Sequence, residues 1–518
     1  PETRWLIALL VLTVIETCAS EHQNSPLSVP SHKLELPKAW DQALEVDGNV
    51  RESACDACLG AAGAAAGKLD EGEDDLWQKM EDYCFKKIDA GKARTACYDA
   101  IRFFYNTSAA DVVAEGAVAA CKLLGHCSNC CKNKGPEQVH VATGVEGVTV
   151  SWVSPPETTE PQGCWFDSVD GSRVFAHGNE TTYKADGWRG RIFHASLGAV
   201  AGGKPTNYSC GSNATGWASR TLVLPVRGAT TTSFAAIGDM GAREESDNAT
   251  AYLSRLASQG RIDAVVHVGD IGYADGVETI TDEFFRKIDP FASTLPYHVW
   301  PGNHEPPFNF ASYRARFRMP GPLDSDNLWS ATTLGPVRLI GISTEHNFAP
   351  GTAQYNFLST ELAAARSDSS TPWVVVVGHR PLYCSNVGPI DTSDCQDTAP
   401  VYRDWIEPLI HQHRVDVVLT AHMHAYERTY PVYNSTAFPQ GEPHYTDPVA
   451  PIYIINGAAG CRESSDGKWE SPPPSWSATR NAIHETIGLV HATTDKLTWE
   501  LTSSNGTVID VFSLTKTK

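Results

Sequence analysis

The sequence predicts a multidomain chain: a small disulfide-bonded α-helical domain, then a β-sandwich, then an α/β domain that carries the chemistry. Three observations support this expectation. The length of 518 residues exceeds what one hydrophobic core organises, suggesting about three domains. Cysteines crowd the stretch from Cys55 to Cys131, and the second half repeats apolar runs that each end in Asp, Asn or His. Hydrophobic content of 42% and charged content of 20% describe an ordinary globular protein. A net charge of -20 argues against nucleic acid as a partner, because nothing basic is clustered to neutralise backbone phosphates. An anionic ligand would have to be attracted locally, which favours a bound cation.

The opening PETRWLIALLVLTVIETCAS sets an arginine before a short apolar stretch and small residues. It is expected to be a signal peptide over 1–20, cleaved near Ser20, since its apolar core is shorter than the ~20 residues of a membrane span. Asn-x-Ser/Thr sequons at Asn106, Asn179, Asn207, Asn213, Asn248, Asn434 and Asn505 agree with a glycosylating secretory route. A secreted, lysosomal or vacuolar location is therefore expected. Of 14 cysteines, Cys18 falls in the leader; the odd remainder leaves one thiol free or bonded to another chain.

Residues 21–47 are polar and proline-bearing, a linker. In 48–133, CDAC at 55–58, then Cys84, Cys97 and CKLLGHC at 121–127 accompany helical periodicity such as LWQKMEDYCFKKI. This order resembles a saposin-type domain. The resemblance implies pairing of Cys55 with Cys127, Cys58 with Cys121 and Cys84 with Cys97, and a lipid or membrane-surface contact. A zinc site or a thioredoxin-like pair would account for CDAC, though neither explains all six positions. Cys130 and Cys131 stay unassigned.

Across 134–228, from PEQVHVATGVEGVTVSWVSP to TLVLPVRG, short runs alternate apolar and polar residues between Gly, Pro, Asn and Asp. That is a β-sandwich pattern, with Cys164 and Cys210 as a candidate bridge and Trp152 and Tyr208 as core aromatics.

From 229 to 518, apolar strands alternate with helical stretches. SFAAIGDMG closes on Asp239, and IDAVVHVGDIGYADG on Asp270 with Tyr273 beyond it. YHVWPGNHE closes on Asn303 and His304, WVVVVGHRPLYCS on His379, and VDVVLTAHMH on His422 and His424. Ligands of α/β sheets gather outside the carboxyl ends of strands. One such terminus is an ordinary turn or cap; five in one domain point to an active site. Asp239, Asp270 and Tyr273 suit a hard trivalent ion, while Asn303, His379 and His422 suit a softer divalent one, with Asp270 the natural bridge. Residues i and i+2 of extended chain share a face, so His422 and His424 could each hold one of two neighbouring ions.

The order and wording of GDMG, GDIGYADG, GNHE, GHRPLYCS and AHMHAYERTYPVYN resemble the purple acid phosphatases, from about residue 136 to the C-terminus. The resemblance implies a fibronectin type III-like sandwich followed by an α/β metallophosphoesterase sandwich. It also implies Fe(III) held by Asp239, Asp270, Tyr273 and His424, and Zn(II), Mn(II) or Fe(II) held by Asp270, Asn303, His379 and His422. The activity implied is hydrolysis of phosphate monoesters by metal-bound hydroxide, the ions about 3.5–4 Å apart. His304 is the candidate for phosphate binding or proton delivery, or for orienting a ligand. Plant members carry further histidines after the His379 motif; here Arg380 follows, a candidate phosphate contact, and no histidine occurs before His411. Ala421 stands where the family has glycine. Cys384 and Cys395 are expected to staple a loop near the site, and Cys461 has no obvious mate. Two other readings remain: a saposin-linked lipid phosphodiesterase resembling acid sphingomyelinase, and a non-catalytic lipid- or glycan-binding protein.

Overall fold

The computed structural model describes residues 135–517 apart from 145–146, 186–187, 199, 323–324, 389–392, 464 and 484. The expected signal peptide, linker and saposin-like domain lie outside the described residues, as do Asn106 and the cysteines through Cys131.

Strand alternation in the first described region builds seven antiparallel strands. Their spatial order is Glu137–Gly144, Gly147–Ser154, Arg191–Ser196, Arg173–Thr181, Gly163–Asp167, Pro205–Ser212 and Gly216–Val223. Arg173–Thr181 forms the corner: its first half pairs with Gly163–Asp167 and its last residues with Arg191–Ser196. The two halves of the sheet thereby share one core that includes Val139, Val150, Trp152, Phe166, Tyr208 and Leu222. Trp152 and Tyr208 are fully buried, and Trp152 stacks on Phe193 with ring centroids 5.6 Å apart. Cys164 and Cys210 are disulfide-bonded across paired strands. Tyr208 donates to the Ser293 carbonyl at 2.7 Å, and Arg220 makes paired contacts of 2.9 and 3.0 Å with Asp289, fastening the sandwich to the region that follows.

That second region consists of two seven-stranded mixed sheets packed face to face. The first runs Tyr297–Trp300, Ala264–Val268, Thr231–Ile237, Thr486–Thr493, Lys496–Ser503, Val508–Thr515, His444–Thr446. The second runs Ser330–Leu334, Val337–Gly341, Trp373–Val377, Val417–Thr420, Ile452–Asn456, Tyr426–Thr429, Ser477–Asn481. Phe234, Val266 and Trp300 of the first sheet meet Leu339, Val375, Leu419 and Ile454 of the second in a buried apolar interlayer. Helices Asp247–Ser258 and Glu278–Ala292 cover the outer face of one sheet, and Ala353–Ser367 and Ala399–Gln412 that of the other. Strands covered on both faces read as unbroken apolar runs rather than alternating ones, as Ala264–Val268, Trp373–Val377 and Val417–Thr420 do.

Thr231–Ile237, Ala264–Val268 and Tyr297–Trp300 are mutually parallel neighbours, as are Trp373–Val377 and Val417–Thr420. Their carboxyl ends carry the polar residues singled out above. Among the described residues no helix is long and apolar enough to cross a membrane. The six described sequon asparagines are all exposed.

Candidate metal centre

Each candidate ligand sits just past a strand end, and the backbone turns sharply there. Asp239, Asp270, Tyr273 and His422 have φ of 57, 54, 52 and 72°. Side chains with a Cβ avoid this left-handed region, at a cost of order 1–3 kcal/mol each unless surrounding structure imposes it. The tightness is local as well. A Cβ at Gly302 would lie 2.2 Å from Asp270 Oδ1, and one at Gly269 would lie 2.4 Å from His379 Nδ1. Glycine is needed at both positions for backbone to pass against the site. Ala421 fits because it faces Gly238, where an added Cβ would come within 2.3 Å of its methyl group.

The predicted residues converge as two adjoining clusters. In one, Tyr273 Oη lies 3.0 Å from Asp239 Oδ1 and 2.8 Å from His424 Nε2, with His424 Nε2 3.5 Å from Asp239 Oδ1. In the other, His379 Nε2 lies 3.0 Å from Asn303 Oδ1 and 3.2 Å from Asp270 Oδ2. Asp270, His379 and His422 offer donor atoms all within 4.8 Å of one another. His422 joins the clusters through its backbone, whose N–H donates to Asp239 Oδ2 at 2.9 Å.

The donor set fits a pair of cations. Asp239, Asp270, Tyr273 and His379 are at most 1% exposed, and buried Asp270 Oδ2 has no well-aligned hydrogen bond, with the His379 ring 3.2 Å away. A carboxylate buried with so little compensation is costly. Burial pushes the Tyr273 phenol well above its usual range and the Asp239 carboxylate adds to this, so a tyrosinate here requires a strong neighbouring cation. Burial likewise pushes Asp270 up, but the charges of His379, His304 and His422 outweigh it and hold it well below the usual carboxylate range. His379 shows the reciprocal effect. Burial pushes it down, yet Asp270 raises it to about 9. Protons on imidazoles thus occupy the role that metal charge would take.

Several residues without a sequence-based prediction hold these donors in place. Glu305 accepts from the backbone N–H groups of Asp270, Ile271 and Gly302 at 3.1, 2.8 and 2.6 Å, tying two strand-end loops together. His379 Nδ1 lies 2.8 Å from the Val268 carbonyl, which sets the ring so that Nε2 faces the cluster. His304 Nδ1 lies 2.7 Å from Asp275 Oδ1, and Arg462 binds the other Asp275 oxygen at 2.5 Å. His304 Nε2 then faces inward, 3.8 Å from Asp270 and 3.7 Å from Glu463. Cys461 is buried and free, its Sγ 3.5 Å from His424 Nδ1. Glu305 and Asp275 lay within the quoted motifs GNHE and GDIGYADG, so proximity in sequence was a usable signal. Arg462 and Glu463 carried none.

Arg380 is held by Glu345 Oε1 at 2.9 Å and Asp394 Oδ1 at 2.9 Å, and its Nη1 lies 3.1 Å from His422 Nε2. Cys384 and Cys395 form the expected disulfide beside the site.

Residues 232–426 match the calcineurin-like phosphoesterase family, and residues 450–511 match the iron/zinc purple acid phosphatase-like protein C family. Acid phosphatase type 7 of Danio rerio is 34% identical over 74% of this chain and 92% of its own length. Purple acid phosphatase 22 of Arabidopsis thaliana is 31% identical over 67% of this chain and 77% of its own length. The chain belongs to the purple acid phosphatase family. Its fold agrees with that of the purple acid phosphatase isolated from yellow lupin (Lupinus luteus) seeds, with a TM-score of 0.67, 23% identity and coverage of 74% of this chain and 75% of that one. All seven candidate ligands fall within the matched phosphoesterase segment, whereas Cys461, Arg462 and Glu463 fall in the C-terminal one.

Proposed function

We propose that the chain is an acid phosphatase hydrolysing phosphate monoesters at a dinuclear ferric–divalent centre. Asp239, Asp270, Tyr273 and His424 would hold the iron, and Asp270, Asn303, His379 and His422 would hold the divalent ion, Zn, Mn or Fe. The observation that carries this reading is the convergence of buried donors around the Asp270 carboxylate, whose Oδ2 has no well-aligned hydrogen bond and the His379 ring, 3.2 Å away, to balance its charge. When bound, the two ions supply positive charge for the phosphate and water acidified enough to be a nucleophile in mild acid.

The remaining work falls to the side chains. Asn303 offers its amide nitrogen to an ester oxygen while its carbonyl faces the cluster. Asp275 holds the Nδ1–H of His304, so that Nε2 is aimed into the site, where it can keep a proton for the leaving oxygen. Burial pushes His304 down, but Asp275 and Asp270 outweigh this and raise it well above its ordinary range, which suits a proton donor. Arg380, clamped by Glu345 and Asp394, adds fixed positive charge at the rim.

For the rest of the chain we infer a leader over 1–20, a linker over 21–47, a saposin-like lipid-facing domain over 48–133 and a fibronectin type III-like sandwich over 134–228. The catalytic region would follow over 229–518, in a protein that travels the secretory route.

Metal analysis together with the visible spectrum tests the central reading. Purified protein should carry iron plus a divalent ion and absorb visible light through a ferric tyrosinate, and Tyr273→Phe should bleach it. Fully active protein containing neither ion would sink the proposal. Turnover of p-nitrophenyl phosphate against sphingomyelin in liposomes separates a monoesterase from the lipid-diester alternative.

A further inference from the structure

We propose that Asp394 is a positioning residue for the divalent site, setting the tautomer and orientation of His422 from a loop end that the Cys384–Cys395 disulfide holds in place. The inference rests on the metal reading above and assigns the part of the site that decides how tightly the divalent ion is held.

Asp394 Oδ2 lies 2.8 Å from His422 Nε2, and Asp394 Oδ1 accepts from Arg380 Nη1 at 2.9 Å. Arg380 Nη1 is itself 3.1 Å from His422 Nε2. A guanidinium has no acceptor, so a proton on Nε2 can be received only by Asp394. A ring lacking that proton would instead direct its lone pair at a carboxylate oxygen. The carboxylate therefore requires Nε2–H, and the neutral imidazole then keeps its lone pair on Nδ1 for an ion. A histidine ligand whose second nitrogen donates to a carboxylate is both better oriented and more basic. Arg380 balances the added negative charge, and its own position is set by Glu345 at 2.9 Å.

Asp394 opens the helical turn Asp394–Thr398 and is anchored beside the disulfide. Cys395, next in sequence, is bonded to Cys384. Ser385 is fixed by Glu427, which accepts from its backbone N–H at 2.8 Å and from its hydroxyl at 2.6 Å. His379, the other imidazole assigned to the divalent ion, begins the segment that leads to Cys384. One disulfide thus links the chain after His379 to the carboxylate that orients His422. The two rings pack edge to face with centroids 5.1 Å apart.

The test uses the full chain with its iron in place. The divalent ion is removed with a chelator, Zn(II) is added back, and its dissociation constant is read by competition with a chromophoric chelator. Asp394→Ala should weaken Zn(II) binding about 10- to 100-fold, while iron content and the visible band stay as in the unsubstituted protein. Asp394→Asn retains one acceptor where two are used, and should weaken binding by about tenfold, the low end of that range. A Zn(II) constant within about twofold of the unsubstituted value in Asp394→Ala, or equal loss of iron and zinc, overturns the proposal. Should Asp394→Ala fail to fold, the near-isosteric Asp394→Asn decides by the same titration, and an unchanged constant there is the overturning result. Absence of both metals from the unsubstituted protein overturns the metal reading itself and this inference with it.

Discussion

The β-sandwich and the paired-sheet region solve the same packing problem with different tolerance for strain. In the strands of the sandwich the left-handed backbone positions fall mostly on glycine, at Gly147, Gly211 and Gly216, with Gln138 the exception. At the strand ends of the paired-sheet region that face the site, they fall on Asp239, Asp270, Tyr273 and His422 as well as on Gly269 and Gly272. A sequence free to choose would relieve such positions with glycine. Other non-glycine residues of the region share this backbone, Arg414 and Asp447 among them, but only at the site do four of them converge as acids, a phenol and an imidazole. The difference separates a region shaped by stability from one shaped by chemistry.

The sharpest way to break that contrast is Asp270→Ala. It should lower turnover of a soluble phosphomonoester by at least about a thousandfold, while far-UV circular dichroism stays native. Retained activity would place the chemistry elsewhere. In the sandwich the reverse is expected: Trp152→Ala removes a fully buried indole and should cost about 3–5 kcal/mol of stability, with turnover per folded molecule unchanged. Denaturant titration alongside active-site metal content separates the two effects.

A third, slightly smaller effect lies at the junction of the regions. Burial lowers His298 from 6.5 to about 4, and its Nε2 lies 3.1 Å from Thr143 Oγ1 of the sandwich. The folded ring resists protonation that the unfolded chain accepts. Its contribution is therefore complete above pH 6.5 and is lost as pH falls through about 4, a decline of roughly 3 kcal/mol. Thermal midpoints measured from pH 7 to pH 4 should fall less steeply in His298→Gln. The smallest expected effect is Ala421→Gly, which removes one buried methyl group facing Gly238. It should cost about 1 kcal/mol with little change in turnover.

How much of this was legible in the sequence depended on the range of the interaction. Asp239, Asp270, Asn303, His379 and His422 could be read because each follows a doubly covered strand, and such strands appear as apolar runs that stop abruptly. Trp152 and Tyr208 were legible as core for a similar reason, since alternation marks the buried face. Glu305 was missed although it adjoins His304, because three backbone N–H groups from two separate loops define its role. Asp394 was missed outright. Its neighbour Cys395 was singled out, but no pattern in SDC announces a carboxylate placed against an imidazole 28 residues away.

The linear order of residues determined the strand ends, their side-chain chemistry and the family to which the chain belongs, because each of these depends on neighbours within a few positions. Tertiary structure alone decided that these ends come from two different sheets, with the late strand Thr486–Thr493 beside Thr231–Ile237 in one of them. It also decided that Cys461, Glu463 and Asp394 stand around the same donors. Long-range pairing is governed by which apolar faces can close on one another, and that is a property of the whole packed core.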